Sequence, residues 1–274
     1  MTTVLLRFKY SCAALLWFVA LLSSSSAKAV DVLDCPAKAW SVGLYEHGLL
    51  FFHGRSGIDK DIVDEIRKRT GCKLYSSLIP RARIWHDLEQ GTLDISVSGM
   101  ASTKRRRFAW FIPYMQMKSM VVLAPSVPLS VVQAADFLKR SNLIFGAVRS
   151  FQHGQLNDEL LQQLATLGRL QYYPDSRTLF KALKQERVHA IFAQVPAYRH
   201  FIPELQLSPK IRILDWALQE EGLQHGLVLA KSSFTEQQME QWRALMQQMK
   251  QDGTLQRIFT RYLSEQEALA LEVL

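Results

Sequence analysis

Between residues 39 and 98 the sequence keeps switching between strand and helix periodicity, and this restricts the fold more than any other feature. Residues 39–45 (AWSVGLY) are an apolar run of strand length. From residue 58 the period is helical. Ile58, Ile62, Val63 and Ile66 share a face, Arg67, Lys68 and Arg69 come near the end, and Gly71 follows. Cations suit the negative end of a helix and glycine suits its left-handed stop. Residues 73–78 read as a second strand, 82–90 as a second helix closed by Gly91, and 93–98 (LDISVS) as a third strand. The β-α-β-α-β order predicts a parallel sheet with helices on its faces.

A second α/β stretch follows an apolar strand at 120–123, which ends at Pro125 and Pro128. Residues 143–148, 170–173, 188–193 and 211–214 read as strands. Residues 157–167 and 177–185 read as helices, the latter capped by Asp175. Residues 226–229 are apolar, and helices at 236–251 and 255–263 close the chain. No internal repeat of fixed period is visible. Two such patterns of about a hundred residues each predict an α/β protein of two lobes. Ligands in these folds sit beyond the carboxyl ends of the strands.

The N-terminus reads as an export signal. Arg7 and Lys9 precede an unbroken apolar run at 12–22, then small polar residues and Ala27-Lys28-Ala29. Cleavage after Ala29 is expected. A membrane anchor is the alternative, but the run is short for a span of about 20 residues. The net charge of +8 then shrinks, because the leader removes Arg7, Lys9 and Lys28 and no acid. Thirty-three basic residues less three, against 25 acidic, leave +5, so a nucleic-acid partner is not expected. Cys12 leaves with the signal. Cys35, before the first strand, and Cys72, opening the second, remain in an oxidising compartment, where a disulfide is expected over two buried thiols. Histidine, cysteine and acid spacings suggest no metal site, and no cofactor motif is present.

Three stretches carry a family resemblance. GIDKDIVDEIRKRTGCKLYSSLIPRARIWHDLEQGTLDISVSGM with ASTKRRRFAWFIPYM resembles a G-x-D-x-D, helix, glycine, strand, helix, x-G-x-x-D, T-x-x-R, P-Y succession. SRTLFKALKQERVHAIFA resembles a helix and strand of a second lobe. MKQDGTLQRIFTRYL is close to M-x-x-D-G-T-L-x-x-I-x-x-R-Y-L. Together they are similar to the extracellular solute-binding proteins of the amino-acid type, family 3, the periplasmic receptors of ABC importers. The resemblance implies a type II two-lobed fold with two hinge crossovers and a ligand cleft between lobes. Residues 30–124 and 226–274 would form lobe one and 125–225 lobe two, after a signal at 1–29. It also implies a monomer that binds a small-molecule ligand and docks transiently on a membrane permease.

The resemblance selects site residues. An arginine after the third strand grips the ligand carboxylate in the family. Counting back from P-Y gives Arg105, with Ser102 in the threonine's place; counting forward from Thr103 gives Arg106. Tyr45 stands where the family has an aromatic wall, and Glu46 follows it. Ser98 and Gly99 end the third strand, and His153 lies in the matching loop of lobe two. Gln194 stands where many relatives carry an aspartate for the ligand ammonium. Glutamine cannot supply that charge, so either Glu46 replaces it or the ligand is not a standard α-amino acid. A dehydratase on the same fold is a second reading, with His153, Glu46 and His189 as acid candidates and no catalytic pattern among them. A sensory binder without a transporter is a third.

Overall fold

The computed structural model describes residue 33 and residues 35–272. The expected leader, 1–29, lies outside the described residues. Strands β1 (Trp40–Leu44), β2 (Leu74–Leu78) and β3 (Ile95–Gly99) alternate with helices α1 (Ile58–Thr70) and α2 (Arg81–Gln90). After one 3-10 turn at Arg105–Arg107 come β4 (Ala109–Met117) and β5 (Met120–Leu123). Helix α3 (Ala134–Leu138), β6 (Phe145–Val148), α4 (Gln155–Thr166), β7 (Leu170–Tyr173) and α5 (Ser176–Lys184) follow. Next are β8 (Ala190–Ala193), α6 (Val195–Glu204), β9 (Arg212–Leu214) and β10 (Leu223–Ala230). The chain closes with α7 (Glu236–Gln251), α8 (Thr254–Thr260) and α9 (Glu265–Ala270).

The strands form two sheets, ordered β2-β1-β3-β10-β4 and β7-β6-β8-β5-β9. Within each, four strands share one direction and one strand, β10 in the first sheet and β5 in the second, runs antiparallel to both of its neighbours. The chain changes sheets at Lys118 and Ser119, and again between β9 and β10. Each sheet has its own apolar core. Ile58, Ile62 and Ile66 of α1 pack with Trp242 and Met246 of α7 against the first. Phe137, Phe145, Leu164 and Phe180 fill the second. The helix stops read from sequence are real, since Gly71 and Gly91 both take left-handed φ near +70° and end their helices. Asp175 accepts from Thr178 N at 2.7 Å, as a capping residue should.

The hydrophobic pattern does not reveal β4, α6 or α9. Pro113 argues against a strand, yet β4 is an edge strand, and Pro113 lies opposite Gly226 beside a register shift in which Tyr114 is the extra residue of β4. The bulge absorbs the missing donor. Two prolines obscure α6. Pro196 sits in its first turn, where no amide hydrogen is needed, and Pro203 sits near its end.

Cys35 and Cys72 form the expected disulfide, with Cα atoms 5.3 Å apart. It fastens the lead-in of β1 to the start of β2, which pair in parallel from Trp40 and Leu74. The bridge spans 37 residues of sequence. Closing a loop of that size should stabilise by about 3–4 kcal/mol. Urea unfolding with and without a thiol reductant should therefore differ by that amount, and the Cys35→Ser/Cys72→Ser double variant should match the reduced protein.

Candidate functional site

Four parallel strands end at one gap. Tyr45 and His47 follow β1, Ser98 and Met100 end β3, Ser150, Phe151 and Gln152 follow β6, and Gln194 follows β8. With Arg81 from the first turn of α2 and His225 from β10, they line a small closed-down cavity of about 10 Å³, room for about one water molecule. A second cavity of about 10 Å³ adjoins it behind His47, Phe151 and Gln194, and reaches His153, Ser176 and Phe192. Neither lining contains an acidic residue.

A relay of neutral groups stitches the two sides together. His225 Nδ1 is 2.8 Å from Leu223 O. A carbonyl only accepts, so Nδ1 carries the proton and Nε2 is an acceptor. Gln194 Nε2 donates to it at 3.2 Å. Gln194 Oε1 then accepts from His47 Nε2 at 3.3 Å, leaving His47 Nδ1 to accept from the Ser176 hydroxyl at 2.8 Å. The chain crosses the gap at each step and uses both ends of the amide. An aspartate at 194 could accept but not donate, so the relay accounts for glutamine there. Burial holds the rings neutral: the pKa falls to about 4 at His47 and about 3 at His153 and His225.

Arg81 is 9% exposed. Its guanidinium lies 4.2 Å from the Tyr45 ring centre and 4.8 Å from that of Trp85, a stacked geometry that favours a cation. Arg105 covers the Trp85 ring at 3.7 Å. It donates to Met100 O at 3.0 Å and, across the gap, to Ser150 O at 3.4 Å. Burial and the charge of Arg81 lower its pKa to about 10. Ser98 is wholly buried with φ +48°, a left-handed backbone that is rare for serine and concentrates at functional sites. The turn aims its carbonyl at Arg81 (3.3 Å), its amide at the Tyr114 hydroxyl (2.9 Å) and its own hydroxyl at Asp59 (2.6 Å). Burial raises the pKa of Asp59 to about 6, and burial raises that of Tyr45 to about 12 despite Arg81.

Of the residues selected from sequence, Tyr45, Ser98 and Gln194 line the first cavity and His153 lines the second. Arg105 flanks the gap as a bridge. Arg106 is exposed and lies 5.8 Å from the Phe111 ring, turned toward that side chain. Ser102 is consumed locally, its hydroxyl accepting from Arg105 N (3.3 Å) and its carbonyl from Arg106 N (2.9 Å). The amides of Arg105 and Arg106 are therefore spent within the turn. Gly99 is packed against Val228 and lies outside both linings. Glu46 is half-buried and also outside them. His189 accepts from Ile144 N at 3.0 Å just before β8, at the opposite end of that strand from Gln194. The three acid candidates, His153, Glu46 and His189, do not converge. Sequence reasoning missed His47, Arg81, Trp85, Phe151 and His225. The strand-end rule covered His47, since it lies two residues past the first aromatic. Arg81 had no signal beyond its place at the start of α2.

Among the described residues no group of three histidines, cysteines or acids could hold a metal ion. The sequence pattern of the bacterial extracellular solute-binding proteins, family 3, matches residues 53–265. No curated protein matches the sequence. Among solved structures, the chain is similar to an amino acid ABC transporter substrate-binding protein from Streptococcus pneumoniae bound to L-arginine. Identity is 17%, coverage 84% of this chain and 95% of that one, and TM-score 0.68. It is similar to the arginine-, lysine-, histidine-binding protein from Geobacillus stearothermophilus at 14% identity, with 82% and 95% coverage and TM-score 0.67. It also resembles a histidine kinase sensor domain at 14% identity, with 83% and 96% coverage and TM-score 0.66. At these identities the likeness is one of fold, the two-lobed fold expected from sequence.

The buried histidines set a pH dependence. Unfolded, each takes up a proton near pH 6.5; folded, His47, His153 and His225 resist until pH 3–4. Their contribution is complete above pH 6.5 and drains away as pH falls. Asp59 acts oppositely, since the folded protein binds its proton near pH 6 and the unfolded chain near 3.9. Around pH 5 the unfolded state gains three protons and the folded state one. Stability should fall by about 2–3 kcal/mol per pH unit there, read as the urea midpoint between pH 6 and 4.5.

Proposed function

The chain belongs to the bacterial extracellular solute-binding proteins, family 3, and from that premise we propose that it captures one small polar solute, an amino acid or a related carboxylate, and presents it to a membrane importer. The observation that carries the reading is the cavity lined from both sheets, crossed by the Ser176–His47–Gln194–His225 relay and by Arg105. A solute seated among these groups would be held by both sides at once, so binding and closure are one event. We divide the lobes where the chain changes sheets, at Lys118 and Ser119 and again between β9 and β10, a few residues before the boundaries at 125 and 226 expected from sequence, and these two passages serve as the hinge crossovers. The protein acts outside the cytoplasmic membrane as a monomer, after cleavage behind Ala29. Tyr45, Ser98, Arg105, His153 and Gln194 are the sequence-selected residues that we assign to the cleft.

Relatives in fold are named as transporter components and as a sensor domain, so the partner separates transport from sensing. Uptake of a labelled solute by cells with and without this chain distinguishes them. The acid candidates for a dehydratase lie apart, which supports binding without turnover; incubation with prephenate should leave it unchanged.

Thermal unfolding against amino acids, polyamines, sugars and organic acids tests the reading directly. A solute at a hundred times its Kd adds about 2.7 kcal/mol, roughly a 5–10 °C rise for a chain of this size. Arg105→Ala should weaken that solute about tenfold by removing a bridge over the gap. A chain that no solute stabilises would contradict a receptor role.

A further inference from the structure

Arginines elsewhere in the molecule show what a satisfied buried guanidinium looks like here. Arg169, 6% exposed, donates to Leu143 O, Leu138 O and Phe137 O at 2.8–2.9 Å. Arg212 holds four carbonyls between residues 127 and 131. Arg81 is different. Among the described residues its hydrogen bonding is one long contact to Ser98 O at 3.3 Å, and its buried Nη1 has no partner. Asp59 is within electrostatic reach, but Ser98 stands between them, with its carbonyl on Arg81 and its hydroxyl on Asp59. Asp59 is fully buried behind the cavity wall and lines neither cavity.

Three positive features meet at this point. Arg81 sits in the first turn of α2, where the exposed amides make the helix end positive. Acids belong in such a turn, and α1 has Asp59 and Asp61 there, but α2 has none. Arg105 lies on the same Trp85 ring as Arg81, and the two guanidiniums repel. A buried guanidinium with a free fork, like-charged company and a helix N-terminus behind it costs free energy until an anion arrives. A carboxylate fits the fork with two parallel bonds. The neutral His47–Gln194–His225 relay offers hydrogen bonds but no negative charge, so an ammonium group entering with the ligand would meet no anion.

We propose that Arg81 is the ligand's anion clamp, and that the ligand is a small carboxylate that brings no ammonium group into the cavity. This rests on the receptor reading and narrows it, moving the clamp from the loop arginines at 105 and 106 to the start of α2. Arg105 serves closure.

The test is isothermal titration of the processed protein with acid pairs that differ only in the amino group: succinate and L-aspartate, glutarate and L-glutamate, 3-methylbutanoate and L-valine. At least one deaminated acid should bind, at least tenfold tighter than its amino acid. Arg81→Gln should weaken that acid on the order of a hundredfold. Arg81→Lys, which keeps the charge and loses the fork, should recover only part of it. Arg105→Gln should cost about tenfold. Without ligand, Arg81→Gln should unfold at the same temperature as the parent or higher, since it removes an unpaired buried cation; a clear fall would mark Arg81 as a packing residue and overturn the clamp. Tighter binding of the amino acid in any pair overturns the ligand class. Unchanged affinity in Arg81→Gln overturns the clamp without need of the amino-acid comparison. Binding of glucose, putrescine or L-arginine, with none of the acids bound, leaves the receptor reading standing and ends this proposal. Binding of nothing in either set ends both.

Discussion

The carboxyl ends of β1, β3, β6 and β8 point into the same gap, and the chemistry of the molecule follows from that convergence. A parallel strand must leave its sheet through a loop at its carboxyl end, and such loops carry side chains that cannot be buried in either core. The parallel strands of two sheets that meet at the gap therefore place His47, Ser98, Phe151 and Gln194 around one enclosed space. The cores behind them are separate, and the chain passes between the sheets at Lys118 and Ser119 and once more before β10. Separate cores with few covalent ties allow the lobes to move as bodies, while the gap decides how they meet.

Removing water from that gap divides its groups into two kinds. The histidines and Gln194 satisfy one another in a directed chain, and burial keeps them uncharged. They make closure specific at low electrostatic cost. Arg81 and Arg105 are cationic side chains, and no acid in the linings of the two cavities balances them. In the proposed receptor role the neutral relay would close the site, and the cations would give it a preference for what enters. Ser98, strained and buried, stands between Arg81 and Asp59 and holds both in place.

Much of this was legible in the sequence, and the rest was hidden for identifiable reasons. Apolar spacing at Ile58, Ile62, Val63 and Ile66, with glycine stops at 71 and 91, located α1 and α2 because local periodicity and capping agree there. Two cysteines and the expectation of an oxidising compartment were enough to anticipate the disulfide. Strand β4 was hidden because Pro113 contradicts local propensity, and only the bulge opposite Gly226 resolves the conflict. At the gap, the strand-end rule and the resemblance selected Tyr45, Ser98 and Gln194, and these line the first cavity. It could not find His225, which enters from an antiparallel strand more than a hundred residues downstream of Ser98. Nor could it tell Arg81 from the other arginines, because the missing partner that marks it is a property of three-dimensional packing.

Small-angle X-ray scattering, recorded while a bound solute is titrated in, tests the central claim that the gap is the binding site and that binding closes it. The radius of gyration should fall and level off at the concentration where the heat of binding saturates. A saturated protein whose radius of gyration equals that of the free protein would contradict the account, because it would place the solute outside the space that the two sheets share.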